Sequence, residues 1–482
     1  MKIARSAVPS VPSACFWALA GFLLLAFATG GGSRYDIQSL VVLRSAAALL
    51  LAFAFWGVEL RHLRNLASPL LLFAAMALLI LIHLVPLPWA LWSTLPGRDT
   101  IVAIDEAAGL GHMWRPLALA PVGAWNAFFS LLPPIAVLIA GARLSARERQ
   151  TLVILLLLLA LASSVVALLQ LSGGENSPLY LYRITNDGAA VGLFANRNHQ
   201  AVFLACSFPL LALFASPSVF PRWDRRIRVG IAAACGAIFV ALILVTGSRA
   251  GLLTMVVGLA AAALLSRSDP GARGRAAFWR GTRAWAVAAG LLLLLASIVV
   301  LAGRAESIDR LLSSEGVGES RYRAWGPILD MALHYFPVGS GIGSFAEVYR
   351  LDEPYALLDW TTFLRAHNDP LELLVTGGAP AMLLLAVAVA GYVRQSVHWW
   401  RAGNREGGRS VTKGAALCVI FILGLASLGD YPLRTPAIAC LFCVMLLWLY
   451  GADDAGRHDN SFDGGPSDPK TSTSYEGRGS NA

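Results

Sequence analysis

The chain has 482 residues, of which 57% are hydrophobic and 14% charged, and its mean hydropathy is +0.63. An ordinary soluble domain carries about 25% charged residues, so this composition excludes a water-soluble globular protein and points to an integral membrane protein. The net charge of +9 is scattered among short loops, which excludes a nucleic-acid groove and leaves a topology signal with weak attraction to anionic lipid headgroups.

A helix needs about 20 apolar residues to cross roughly 30 Å of hydrocarbon. In chain order, runs of this kind are expected at 14–31, 37–57, 67–90, 123–141, 150–171, 192–215, 229–247, 250–266, 284–302, 371–393, 414–429 and 436–451. The predicted fold is therefore all-α and polytopic, with about twelve transmembrane helices. The runs are continuously apolar, whereas barrel strands alternate over about ten residues. Lys2 and Arg5 precede a first run that can span by itself, so it is expected to stay as an anchor. Pro133-Pro134 makes the fourth helix the least regular. All six cysteines fall within apolar runs and read as small buried hydrophobes. Cys440 and Cys443 form a CxxC, but no His or carboxylate lies beside it to support metal or redox use.

Lys and Arg in short loops stay on the cytoplasmic side. Alternate connections hold Arg61 and Arg64; Arg143, Arg147 and Arg149; Arg222 to Arg228; Arg267 to Arg283; and Arg394 to Lys413. All five share a side with Lys2 and Arg5, so both termini are expected in the cytoplasm. The intervening connections mix signs and lie outside. This divides the chain into a cytoplasmic N-terminus (1–13), nine helices (14–302), a long outer loop between helices 9 and 10 (303–370), three more helices (371–451) and a polar tail expected to be disordered (452–482). No repeat of fixed period is evident, and the long loop has no counterpart in the first half. Secondary transporters built from two related halves are disfavoured on that account.

Polar residues at a membrane are expensive, and four places stand out. Arg249 occupies a minimal outer turn between two spans. A turn arginine can snorkel to headgroups, or its planar fork can hold a phosphate. Arg321 precedes apolar residues at Trp325, Ile328, Leu329, Ala332, Leu333 and Phe336. That spacing predicts a one-sided helix on the outer leaflet, with Arg321 on the Trp325 face and Arg323 on another, where a solvated role suits it. Glycines at 339, 341 and 343 offer backbone N–H groups to a phosphate, but without the strand and helix of a nucleotide loop they read as a tight turn after Pro337. His367 precedes Asn368, Asp369 and Pro370, which predicts Asp369 as the N-cap of the next span and His367 just outside it. An imidazole there can take a proton from a sugar hydroxyl, or be structural. No second His is spaced as a metal ligand.

Five segments in order resemble the O-antigen ligase and polymerase superfamily. They are Gly192-Leu193-Phe194-Ala195-Asn196-Arg197-Asn198-His199; Thr246-Gly247-Ser248-Arg249-Ala250-Gly251; Arg321 four residues before Trp325; Pro337-Val338-Gly339-Ser340-Gly341-Ile342-Gly343-Ser344-Phe345; and His367-Asn368 with Leu371-Glu372 and Thr376-Gly377-Gly378. The resemblance covers roughly residues 190–380. It implies a C-type glycosyltransferase fold in a bacterial inner membrane, with the long loop and the active site on the periplasmic face, and no metal or other cofactor.

The resemblance also implies transfer of a glycan from undecaprenyl diphosphate to an acceptor hydroxyl. The acceptor is the lipid A core for a ligase, a growing glycan for a polymerase, and polysaccharide-assembly machinery is an implied partner. Arg249 and Arg321 would bind the donor diphosphate, and His367 would orient or deprotonate the acceptor. Arg323, Asn196, Asn198 and Asn368 are candidate substrate-binding residues, while His199 sits where the family varies and inherits no role. A small-anion transporter, bicarbonate-like, and a non-catalytic scaffold of a polysaccharide complex are the competing classes. The first would place its ionisable groups near the bilayer midplane rather than at the outer boundary.

Overall fold

The computed structural model describes residues 12–175, 177–221, 224–269, 317–358, 363–402 and 409–451, and leaves the side chains of 317–321 undescribed. Among these residues, seven helices are long and apolar enough to cross a membrane: α3 (Leu60–Leu84), α5 (Pro121–Ala142), α6 (Ala146–Gly173), α7 (Arg197–Ala215), α8 (Arg225–Thr246), α9 (Arg249–Ser268) and α12 (Asp369–Ala402). Four shorter apolar helices join them, α1 (Ala14–Thr29), α2 (Ser39–Phe55), α13 (Val411–Ala426) and α14 (Pro436–Tyr450). Each coincides with one of the expected spans. The expected span 284–302, most of the long loop's first part and the tail after 451 lie outside the described residues.

Three local departures have simple causes. The third span ends at Leu84 because Pro86 and Pro88 follow; beyond it, α4 (Asp99–Ala107) precedes Arg115–Pro116, which pairs antiparallel with Pro86–Leu87 as a two-residue strand bridge among otherwise helical described elements. The fourth span, α5, breaks at Leu131, just before the Pro133-Pro134 pair, into Pro121–Ser130 and Leu132–Ala142. Within the last long span, Gly378 takes φ 57° and ψ −152°, so α12 is two helices joined at a kink.

The bundle is built around α7, 83% of whose span is buried. It packs on α6, α8, α9 and α13. Small residues permit the closest of these contacts, as is common between membrane helices. A Cβ on Gly251 would lie 2.5 Å from that of Ala201, and one on Gly258 would lie 2.6 Å from the Ala205 carbonyl oxygen. Because 251 meets 201 and 258 meets 205, α7 and α9 run parallel and begin at the same end of the bundle.

That end gathers four connections. Gly31 N–H donates to the Tyr182 hydroxyl at 2.6 Å, Ala195 N–H to the Gly31 carbonyl at 3.1 Å, and Ala437 N–H to the Gly30 carbonyl at 3.0 Å. Asp369 N–H donates to the Ser427 carbonyl at 2.9 Å. Over it lie α10 (Val317–His334) and α11 (Phe345–Asp352). Buried Ala324, Ile328, Met331, Ala332 and Tyr335 pack with Phe345, Val348 and Tyr349 as a second, smaller core. The apolar face expected on α10 is therefore rotated. Ile328 and Ala332 are buried, whereas Leu329, Leu333 and Phe336 are exposed, leaving α10 apolar on two sides.

Candidate functional site

The local sequence first explains how the ends of three helices are held. Ser248 caps α9 by accepting from Gly251 N–H at 2.9 Å, and Gly247 at φ 61° closes α8, so Arg249 stands at the first position of α9 after a two-residue turn. Asn196 caps α7 by accepting from Asn198 N–H at 2.9 Å. The cap of α12 is Asn368, whose Oδ1 accepts from Leu371 N–H at 3.0 Å. Asp369, expected as that cap, is instead the first helical residue and takes part in an ion-pair network.

That network fixes the approach to His367. Glu372, buried on the first turn of α12, accepts from Arg365 at 2.9 Å and from Ala366 N–H at 3.1 Å, and lies 3.4 Å from Arg434. Arg434 also donates to Asp369 at 3.0 Å. Burial works against the Arg434 charge, but Glu372 and Asp369 outweigh it and hold its pKa above the usual arginine range. Between these anchors His367 takes φ 49°, the only positive φ of a non-glycine among the described residues. Such left-handed geometry costs on the order of 1–2 kcal/mol and persists only where the surroundings impose it.

Behind His367 lies a carboxylate that is almost fully enclosed. Asp430 Oδ1 is 3.4 Å from His367 Nδ1 and 3.9 Å from His199 Nε2. Its Oδ2 accepts from Asn198 Nδ2 at 2.7 Å, and Tyr431 N–H donates to Oδ1 at 3.0 Å. The Tyr431 ring lies against both imidazoles, 4.9 Å from that of His367 and 5.3 Å from that of His199. His199 is held from its other side by Thr435 Oγ1, 2.9 Å from Nδ1. The side chains of Asp430 and His199 are 1% exposed, that of His367 12%. One imidazole edge thus reaches the surface with a buried carboxylate at its back, the arrangement that steadies a histidine as it gains a proton.

The remaining candidates divide. Gly251 packs on Ala201, which sets Arg249, exposed, level with the first turn of α7 that carries Asn198 and His199. Arg323 is exposed on α10; Arg321 lies on the same helix, but its side chain is outside the described residues. The glycine turn holds no phosphate cradle. Gly339 N–H donates to the Tyr335 carbonyl, Ser340 and Gly341 to those of Val375 and Thr376, and Ile342 to His83 Nδ1. The turn thereby satisfies carbonyls beside the kink at Gly378. Arg98, fully buried, donates to the carbonyls of Pro96, Leu117 and Gly339.

Residues 234–386 match the family model described as O-antigen ligase. This segment of the chain is similar to the O-antigen ligase family. No curated protein matches the chain by sequence. Members of the family ligate or polymerise lipid-linked glycans. The matched segment runs from within α8 to within α12 and holds Arg249, Arg323, the glycine turn and His367. Asn196, Asn198 and His199 precede it, and Asp430 and Tyr431 follow it. Asp430 and Tyr431 were not among the sequence candidates. The available signal was an acidic residue in the short turn between the last two spans, the same kind of signal that singled out Arg249.

Proposed function

We propose that this chain transfers a glycan from undecaprenyl diphosphate to an acceptor hydroxyl at the periplasmic face of a bacterial inner membrane, in the manner of an O-antigen ligase. The observation that carries the reading is the His367–Asp430 pair, a partly exposed imidazole 3.4 Å from a buried carboxylate at one end of a membrane bundle. The family match over 234–386 supports the same reading.

In the reaction, an acceptor oxygen attacks the anomeric carbon of the donor, and the bond from that carbon to the diphosphate oxygen breaks. His367 takes the hydroxyl proton, and Asp430 stabilises the imidazolium that results. General base help of this kind is typically worth 10²- to 10⁴-fold. Negative charge grows on the departing diphosphate, where Arg249 and Arg321 supply fixed cationic donors. Asn198 acts through Asp430, to which it donates, and Asn368 acts by capping the helix that follows His367. Arg323 and Asn196 serve as outer support for the substrate.

The test is the glycan profile of a deletion strain complemented with wild type, His367→Ala, Arg249→Ala or Arg321→Ala at matched membrane abundance. Long polymer accumulating on the carrier lipid and missing from lipid A supports a ligase. Loss of the long polymer, with single repeats still made, assigns a polymerase. Full restoration by all three variants overturns the catalytic reading in favour of anion transport or a scaffold.

A further inference from the structure

A cleft opens beside the His367–Asp430 pair. Its lining includes Ser33, Arg34, Tyr35, Glu347, Arg365 and Tyr431, drawn from the turn after α1, from α11, from the segment before His367 and from the turn before α14. It shares Tyr431 with the candidate site, and the ring of Tyr431 lies 4.9 Å from that of His367. Arg365 ties two of its walls together by donating to the Ser33 carbonyl at 3.4 Å.

The electrostatics decide what such a cleft can hold. Both of its guanidiniums already face carboxylates. Arg34 grips Asp36 through two bonds, at 2.9 and 2.8 Å, and Arg365 donates to Glu372 at 2.9 Å. Glu347 adds an exposed carboxylate. A guanidinium paired in this way still offers N–H donors but little net positive charge, so the cleft is poorly suited to a diphosphate. It suits a neutral ligand rich in hydroxyls. Tyr35, 55% exposed, and Tyr431 supply aromatic surface for the C–H face of a sugar ring, and the paired arginines and Glu347 supply donors and acceptors for its hydroxyls.

We infer that the cleft between residues 33–35, Glu347, Arg365 and Tyr431 binds a neutral sugar of the acceptor glycan and turns its hydroxyl toward His367. The inference rests on the transferase reading and adds to it a division of labour. The donor diphosphate belongs to the arginines on α9 and α10, and the acceptor sugar belongs to this cleft.

The experiment uses the full chain in lipid nanodiscs with polyprenyl-diphosphate-linked glycan as donor and, in separate arms, polymer-free lipid A core or lipid-linked single repeats as acceptor. Tyr35→Ala and Glu347→Ala should each raise the acceptor KM by about tenfold, the effect of losing one good contact, and leave the donor KM unchanged. The acceptor whose KM responds identifies the source of the sugar. A rise in donor KM alone, or no change in either, overturns the assignment. Failure of the wild type to transfer in both arms overturns the transferase reading instead. The cleft is then judged by hydrogen exchange with lipid-free core oligosaccharide: protection of 33–36 and 345–349 supports it, and absence of protection overturns it.

Discussion

The glycine turn at 337–343 and the cluster around Asp430 are both polar, both largely buried and both at the same end of the bundle, yet they differ in where their hydrogen bonds go. In the turn, the N–H groups of Gly339, Ser340, Gly341 and Ile342 all point into the protein, onto Tyr335, Val375, Thr376 and His83. Around Asp430, the bonds converge on one carboxylate and leave an imidazole edge at the surface. A polar motif whose donors are all satisfied internally is architecture. One that converges on a reachable titratable group is equipped for chemistry. Substitutions in the first region should therefore change how much protein folds, and substitutions in the second should change turnover.

The largest effect is predicted for Gly341→Ala. Gly341 has φ 104°, and a Cβ there would lie 2.4 Å from Ala118 Cα, so backbone would have to move. A cost of about 3 kcal/mol or more is expected, seen as loss of membrane abundance and a lowered melting temperature, with unchanged kcat in the protein that survives. A matching fall in kcat would erase the distinction between the two regions. Asp430→Asn keeps the shape but removes the charge behind His367. It should lower kcat by roughly 10²-fold at normal abundance, and wild-type turnover would remove Asp430 from the mechanism.

Asn198→Ala deletes the 2.7 Å bond to Asp430. About a tenfold fall in kcat is expected, recovered in part by Asn198→Gln, because the loss is one of orientation. Asp36→Asn should have the smallest effect, about 0.2–1 kcal/mol of stability at neutral pH, since the pair with Arg34 is partly exposed. The bond to Arg34 holds the Asp36 pKa below its usual 3.8. Its contribution is therefore present above that value and disappears as pH falls through the lower folded value, so the variant and the wild type should converge in melting temperature under strongly acidic conditions.

Much of this was legible in the chain. Hydropathy located the apolar helices because about 20 residues of hydrocarbon-compatible side chain leave little ambiguity, and the proline pair at 133–134 announced the break in α5. His367 and Arg249 could be singled out because charge at a membrane boundary is costly. What could not be read is what touches what. Asn198 and Asp430 are 232 residues apart, and only the packing of α7 against α13 brings them together. The orientation of α10 was missed for a related reason. Its spacing reads as one apolar side, and contacts with α11 and α12 decide which of those residues are buried. The Asn368 cap displaced Asp369 because Arg434 and Ser427, both remote in sequence, claim Asp369.

The enclosure of α7 has a consequence for how the protein is made. It is the least apolar of the seven long spans and the most completely surrounded by other helices. A segment of this kind gains little from lipid alone and much from its neighbours. Its flanking helices α6 and α8 are the two most apolar of the seven, so they can settle in the bilayer unaided and hold α7 in place until α9 and α13 have been synthesised to close around it. Nascent chains cut off after α7 should be extracted from the membrane more readily than chains that extend through α9, which places the commitment step of biogenesis at the arrival of the helix that begins with Arg249.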